Sequence, residues 1–572
     1  MDTQRLIALV VFTFSGMMLW EAWNKHNYPQ PPVTQTQAQS QQVGVSPGTD
    51  KSAAAAVPNP SVPLATDKPA GVSSTPTAPA ATAEPLSDKR VSVTTDTLAV
   101  ELDTRGGDIR EVTLLKHPAH GDIKRPFKVM QDKAGAYFIA QSGLLGPGLP
   151  NHTAVWMAAA TKFSLDAADT LEVPFTNGDL PGVQVTKTFV FKRGSYVIEV
   201  RYDVKNETAA AVAPTAYFQF LRDGNPPEGE SSGNMFTGVA TFTGPAIYSD
   251  AKKFQKVNFT DIDKNKQEHV KEGTDGWIAM VQHYFVSAWL PADKTRREFF
   301  TKKVTDKIYS LGVITPMAPV EAGASGRLSM PLYVGPQEQE KLKELSPGLD
   351  LVVDYGWLTV LAYPMFLVLS WINKIVANWG WTIIIFTILL KLVFFPLNQK
   401  AGKSMAHMKQ LAPKVEALKA RYGDDKVKMN QAMMELYRTE KVNPLGGCLP
   451  ILIQMPFLIA MYWVLLGAVE LRNAPWLGWI TDLSTPDPFY VLPVIMGASM
   501  FIQTKLNPAP PDPVQAKVML IMPLVFSVMF FFFPAGLVLY WTMQNILGIG
   551  QQWYINKTTA EIGKAKPHGT KT

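Results

Sequence analysis

The residues that could do bond chemistry are few, and most fail the spacing that chemistry needs. Gly402-Lys403-Ser404 ends like a phosphate-binding loop, but the earlier glycine such a loop requires is replaced by Leu397. His117-Pro-Ala-His120 offers two imidazoles with no nearby third ligand and no helix to hold them, so it reads as a solvated loop and not a metal site. Arg105-Gly106-Gly107-Asp108 reads as a turn between strands. The single cysteine, Cys448, excludes a disulfide framework and a cysteine-based zinc cluster. With no partner base in view, it reads as a small packing residue at a helix entrance. No metalloprotease, hydrolase or dinucleotide fingerprint occurs. The chain is expected to have no catalytic residue, no cofactor and no metal.

The informative residues are polar ones inside apolar runs. Lys391 lies in the run Thr382–Pro396, about 9 Å from its inner end. A lysine at a helix centre costs about 2.5–3.5 kcal/mol on insertion scales. From this depth it reads either as a side chain snorkelling to the surface or as a groove charge. Company favours the groove. Thr387 sits one turn outward on the same face, and Gln454 is about 12 Å into its own run. Gln544 and Asn545 lie about 15 Å into the last run. Each is costly against lipid, so they are expected to face one another around water. All lie in the inner half of their runs. That pattern describes a wet cavity closed outward, whereas a through-pore needs polar groups at both depths.

The elements that must position these groups are membrane helices. Apolar runs occur at Trp357–Val376, Trp379–Leu397, Leu449–Leu466, Phe489–Ile502 and Val518–Ile555. The last would reach about 57 Å as one helix, against a hydrocarbon core of about 30 Å, so it is expected to turn at Pro534-Ala535-Gly536. Residues 398–443 carry ten Lys/Arg against five acids. The linker after Ile502 and the tail are also basic, while Glu470–Pro488 is acidic on balance. The positive-inside rule puts the basic segments in the cytoplasm and the acidic loop outside. If Trp357–Val376 spanned, the ten-charge segment would fall outside. It is therefore read as a helix lying on the outer face, with Pro364 inside it and Trp357 and Trp371 as interfacial anchors.

The basic segment has its own pattern. Met405, Met408, Leu411, Val415 and Leu418 recur at helical spacing, Gly423-Asp424-Asp425 breaks the helix, and Val427 to Tyr437 resumes it. This predicts a helical hairpin. It reads either as a self-packed coiled coil or as a docking arm, soft through its methionines and basic toward lipid head groups or RNA.

The rest of the chain explains a mean hydropathy of only +0.02 alongside 47% hydrophobic residues. Leu6–Trp20 is apolar and ends in bulky Met17-Met18-Leu19-Trp20, which suits an uncleaved anchor and not a signal peptide. Pro29–Ser87 holds eleven Pro, eleven Ala and six Gln with no aromatic residue, so it cannot offset its ordering entropy and reads as a tether. From Asp88 to about Val334, short alternating runs predict an antiparallel β-sandwich. Its clearest hairpin is Val183–Phe191, the turn Lys192-Arg193-Gly194, then Ser195–Asn206. A short helix over Gln337–Leu345 is expected to close it.

At this point the residues resemble a known family. Asn443-Pro-Leu-Gly-Gly-Cys-Leu-Pro-Ile-Leu-Ile-Gln-Met-Pro456, Gly423-Asp-Asp-Lys426, Phe533-Pro-Ala-Gly-Leu-Val-Leu-Tyr540 and Asp354-Tyr-Gly-Trp357 resemble the YidC/Oxa/Alb membrane protein insertases, in their Gram-negative form. Arg105-Gly-Gly-Asp-Ile-Arg110 and Gly276-Trp-Ile-Ala-Met-Val-Gln-His-Tyr-Phe285 extend the likeness. The resemblance implies a multi-domain membrane protein of six α-helical spans with a five-helix insertase core, plus an all-β supersandwich domain in the periplasm. The expected organisation is an anchor over 1–28 with its span at about 6–23, a tether over 29–87, the sandwich over 88–350 and the interfacial helix over 351–378. The core over 379–555 then has spans at about 379–397, 446–466, 489–504, 518–533 and 536–555, the hairpin over 398–443 and a basic tail over 556–572. Both termini are expected in the cytoplasm of a bacterial cell, and the chain in its inner membrane.

The resemblance also implies roles. The family's groove charge is usually Arg, and Lys391 here keeps the charge but loses the bidentate fork. Gln454 matches the groove glutamine. Met455, Pro456, Tyr540 and Trp541 match positions that touch the passing segment. The implied partners are nascent membrane proteins, the Sec translocase with its SecD/SecF part, the translating ribosome and lipids. The expected mechanism is solvation of a short polar flank by water, Gln454, Asn545 and Lys391, while the apolar segment slides into lipid. The membrane potential assists an acidic flank by about 2.3 kcal/mol per charge per 100 mV. The rival readings are a secondary transporter of a small anionic solute, against which no internal repeat is visible, and a membrane-tethered glycan-binding sandwich.

Overall fold

The computed structural model describes residues 90–564, apart from 120–121, 178–180, 228–240, 424, 441–448 and 507–512. The expected anchor and tether, His120, Asp424, Gly446-Gly447-Cys448 and the end of the basic tail lie outside the described residues. The described chain forms two units, one running to Val352 and one beginning at Val353.

The first unit is built from two sheets, of ten and nine strands among the described residues. Val183–Lys192 pairs antiparallel with Val197–Asn206, Ile198 opposite Phe191 and Asn206 opposite Val183. Ser325–Pro336 continues the sheet on the other side. Gly194 turns the hairpin at φ +70°, a backbone region that side-chain-bearing residues rarely adopt. Ile198, Val200, Tyr202 and Val204 are all fully buried, while Glu199, Arg201 and Asp203 alternate toward the outside. Period-two patterning alone produces that split. The inner faces interdigitate: the Trp289 ring of one sheet packs tilted against Phe218 at 5.0 Å and Phe220 at 5.9 Å of the other. Two short helices complete the unit, α1 (Phe259–Asp263) and α2 (Gln339–Leu345).

One expectation is corrected here. His117 is not in a loop but on the strand Ile109–Ala119, where its Nε2 is 3.0 Å from the Tyr196 hydroxyl. Alternation in Ile109–Leu114 carried the strand further than His117-Pro118 suggested. Among the described residues no cluster suits a metal. Arg105 to Asp108 does form a turn, with Gly106 at φ +76° and Gly107 at φ +59°.

This turn meets an unexpected buried charge. Lys187 is fully buried, and its Nζ donates to the carbonyls of Gly106 at 3.1 Å and Ser142 at 3.3 Å. A methyl group on Gly107 would lie 3.1 Å from the lysine stem, so the glycine gives the chain room to pass. Asp108 is also fully buried and accepts from Gln141.

The second unit is helical. Its helices are α3 (Thr359–Val376), α4 (Trp379–Val393), α5 (Phe395–Gln410), α6 (Ala412–Tyr422), α7 (Lys426–Thr439), α8 (Leu449–Gly467), α9 (Val491–Leu506), α10 (Pro513–Phe530) and α11 (Ala535–Lys564). The apolar stretch 518–555 is divided between α10 and α11, with the break at Phe531 to Pro534. Two boundaries differ from expectation, each at a proline. The run Trp379–Leu397 is not one helix, because α4 and α5 meet at Phe394 with a bend of 60°. Pro396 has no N–H for the Leu392 carbonyl, and its ring clashes with the preceding turn. The first arm of the hairpin is likewise split at Leu411, ahead of Pro413. The hairpin turn at Gly423 is capped by Asp425, whose carboxylate accepts from Lys428 N at 3.1 Å. Lys414 and Glu440 pair across its open end.

Helix α3 buries Ala362, Met365, Phe366, Leu369 and Ile372 on one face and exposes Val360, Trp371 and Ile375 on the other, with Trp357 exposed in the turn just before it. Tyr355, just ahead of it, lies beside Gly467 at the end of α8. Asn378, just after it, caps α4 through Trp381 N and donates to the carbonyls of Pro475 and Trp476 beyond α8. By length and composition, the stretch Gly356–Val376 can cross a membrane, and so can α4 with the start of α5 if the bent pair is one span. Leu452–Gly467, Val491–Leu506 and Lys517–Phe530 are shorter apolar helices.

Candidate functional site

Three helices of the second unit build one pocket. Helix α4 supplies Leu390 and Lys391, with Phe394 at its break. Helix α8 supplies Gln454, Phe457 and Leu458, and α11 supplies Tyr540 and Gln544. The cavity is small, about 10 Å³, room for about one water molecule. The sequence dictates this convergence locally. Lys391 and Phe394 are one turn apart, as are Tyr540 and Gln544, so each pair shares a helix face. Pro456 removes from the α8 ladder the N–H that would bond the Leu452 carbonyl.

The polar groups are spaced for solvation and not for bond chemistry. Gln544 Nε2 donates to the Tyr540 hydroxyl at 3.1 Å. Gln454 Nε2 donates to Asn398 Oδ1 at 2.8 Å. Among the described residues no carboxylate pairs with Lys391. The site therefore offers a cation, two amides and a hydroxyl within apolar walls, a set suited to an anionic or strongly polar group.

A cluster of rings lies beside the pocket. Trp541 lies edge-on to Phe530 at 4.4 Å and 6.4 Å from Tyr462, which is also 6.4 Å from Phe533. These aromatics stand beyond the amides along α8 and α11.

The structure brings together Lys391, Gln454, Gln544 and Tyr540. It puts Thr387 elsewhere: fully buried, its hydroxyl donates to the Ile383 carbonyl within its own helix. Asn545 faces α9, donating to Ser499 Oγ at 3.3 Å. Met455 is exposed beside the pocket, and Trp541 belongs to the aromatic cluster. Met408 is half-buried in α5, and Gly423 and Asp425 form the hairpin turn. The sequence reading missed Phe394, Phe457 and Leu458, which look like any apolar residue. It also missed Asn398 and Gln551. A signal existed for Gln551, which stands two helical turns beyond Gln544 on the same helix and so on the same face.

Loop residues fix the helix that backs α11. Asp487, fully buried, accepts from Phe489 N at 3.0 Å, Trp479 Nε1 at 2.9 Å and Leu492 N at 2.8 Å, and so caps α9. Gly497 of α9 lies against the Ser527 side chain of α10, so the two helices meet without a side chain between them.

Comparison with known proteins gives the class first. Residues 90–368 match the family described as YidC periplasmic domain, and residues 371–562 the family described as 60Kd inner membrane protein. The chain is thus an inner-membrane protein with a β-rich domain attached. The membrane protein insertase YidC of Dechloromonas aromatica is 50% identical over 568 residues, covering 99% of both chains. That of Aromatoleum aromaticum is 50% identical over 569 residues, covering 99% of this chain and 100% of its own. A solved structure described as an active YidC insertase with the first transmembrane domain resolved aligns at a TM-score of 0.39 and 18% identity, over 82% of this chain and 93% of that one. The chain belongs to the YidC family of membrane protein insertases.

Proposed function

We propose that this chain inserts hydrophobic segments of nascent proteins into the bacterial inner membrane through a groove open to the cytoplasm. One observation carries the reading: Lys391, Gln454 and Gln544, from three helices, line one pocket whose other walls are apolar. A polar flank entering there exchanges bulk water for fixed polar groups, while its apolar segment meets the exposed side chains of Leu452, Ile453 and Met455 on α8. The path through bare hydrocarbon is shortened, and burial of the segment in lipid supplies the free energy. Lys391 attracts an acidic flank, and low dielectric around it strengthens that attraction.

The topology proposed is six spans with a five-helix core: the anchor, then α4, α8, α9, α10 and α11. Helix α3 lies on the outer surface although it is long enough to span. What supports this is its ends. Tyr355 before it lies beside Gly467 at the end of α8, and Asn378 after it bonds Pro475 and Trp476 in the segment that follows α8. A helix of eighteen residues, about 27 Å, whose two ends stay at one level runs across the bundle and not through it. Trp357 and Trp371, 82% and 61% exposed, suit the head-group zone. The excess of Lys and Arg in 398–443 puts the hairpin in the cytoplasm, facing ribosome and anionic lipid. The β unit then lies in the periplasm, where the Sec translocase and its SecD/SecF part are the expected partners.

The test is complementation. In cells depleted of their own insertase, this chain should restore protease accessibility to the outer tail of a small inner-membrane protein. Anion uptake without restored insertion would favour a transporter instead.

A further inference from the structure

Beneath the pocket, three side-chain amides from three helices form one chain. Gln454 of α8 donates to Asn398 of α5 at 2.8 Å, and Asn398 donates in turn to Gln551 Oε1 of α11 at 3.3 Å. Asn398 is the first side chain past the bend that can both accept and donate at once. Helix α5 rests on α11 again one turn further on, where a methyl group on Gly402 would lie 2.7 Å from Ile555. The two contacts advance together, from Asn398 and Gln551 to Gly402 and Ile555, so α5 follows α11 in parallel register over that turn. Its polar reach to α8 at this level is the Asn398–Gln454 bond.

We propose that Asn398 is a strap. It ties α8 to α11 across the inner mouth of the groove and positions Gln454 there while the groove is empty. This goes beyond the insertase reading and rests on it. The bond is replaceable: an entering polar flank takes over the Gln454 N–H, so the mouth opens as it is filled and Gln454 keeps a partner in a poorly hydrated site. Gln551 makes the strap tolerant as well. Its Nε2 is buried without a hydrogen-bond partner, so a turned Gln551 amide can donate to a residue that only accepts.

The test uses the full-length chain with Cys448→Ser and a reporter cysteine, Leu458→Cys, on the pocket wall. Inside-out vesicles are labelled with a charged, membrane-impermeant maleimide. Asn398→Leu removes both hydrogen bonds and should speed labelling about fivefold, as expected when one net hydrogen bond stops biasing an open–closed equilibrium. Gln551→Leu should do the same, and the double variant no more than either alone. Asn398→Asp accepts from Gln454 and from a turned Gln551, so it should label as slowly as the unmodified chain. Unchanged labelling in both leucine variants overturns the strap, and so do effects that add in the double variant, or a fast Asn398→Asp. If Asn398→Leu does not accumulate, Gln551→Leu carries the same prediction. Failure of the insertase reading looks different. Variants of Lys391 and Gln454 would then insert every substrate normally, whatever the labelling rates.

Discussion

Gly548 of α11 stands against Lys391 of α4: a methyl group built on the glycine lies 3.7 Å from the lysine Nζ and 3.0 Å from Gln503 Nε2. The absence of a side chain there lets the lysine lie along α11 between Gln544 and Gln551. Gly548→Ala should be tolerated, because only the flexible end of Gln503 must move. Gly548→Leu must push into the pocket, at an overpacking cost of about 1–3 kcal/mol. Protease accessibility of an inserted tail should fall for Gly548→Leu and not for Gly548→Ala. Equal activity in the two would mean that Lys391 has no need of this space.

The cap on α9 is a second point of failure. Asp487→Ala leaves the Trp479 indole and two backbone N–H groups without their acceptor, of which the Leu492 N–H is buried. The buried group alone should cost about 1–3 kcal/mol. Asp487→Asn keeps one oxygen and should lose less. Thermal unfolding of the detergent-solubilised protein measures both. If the alanine variant melts like the unmodified protein, the cap has been given too much weight.

The β unit should show a pH signature from Lys187. Burial holds its ammonium well below the ordinary lysine range, against the opposing pull of Asp108. The sign follows from proton counting. Between the folded and ordinary values the unfolded chain binds more protons, so stability rises as pH rises through that window and is lost as pH falls back through the folded value. Burial also raises the Asp108 carboxyl, against Arg110 and Lys187, so its contribution falls as pH rises out of the ordinary carboxylate range. From about pH 7.5 to about pH 9.5 the lysine effect should dominate, since ordinary carboxylates are ionised there. Lys187→Met should flatten the rise in unfolding temperature of the β unit over that interval. A slope unchanged by the substitution would assign the effect to other groups.

The elements were legible wherever one period ruled. Ile198 to Val204 alternates because one sheet face is buried, and the hairpin could be read from that and from Gly194. The polar groups of the groove were legible for a different reason: Lys391, Gln454 and Gln544 are out of place in apolar runs. What could not be read was direction. Asn545 and Gln544 are adjacent, yet one faces Ser499 and the other Tyr540, because successive helical residues point about 100° apart and only packing decides which side holds the pocket. Thr387 satisfied itself on its own backbone, an option open to any helical threonine. The bends at Phe394 and Leu411 were written in Pro396 and Pro413, but the apolar and methionine patterns ran straight through them. Lys187 gave no signal at all, since a lysine in a strand normally faces water.

The central claim is that Lys391 draws an acidic flank into a polar groove, and charge reversal tests it most directly. Two substrates identical except for flank charge are followed by protease accessibility in cells depleted of their own insertase. Lys391→Arg should support both. Lys391→Ala should weaken the acidic-flank substrate more than the neutral one, because Gln454 and Gln544 still hold water. Lys391→Glu should be worst for the acidic flank, since like charges in a low-dielectric pocket repel with little screening. If Lys391→Glu inserts the acidic-flank substrate as well as the unmodified chain does, the electrostatic role is wrong, and the groove works through hydration alone.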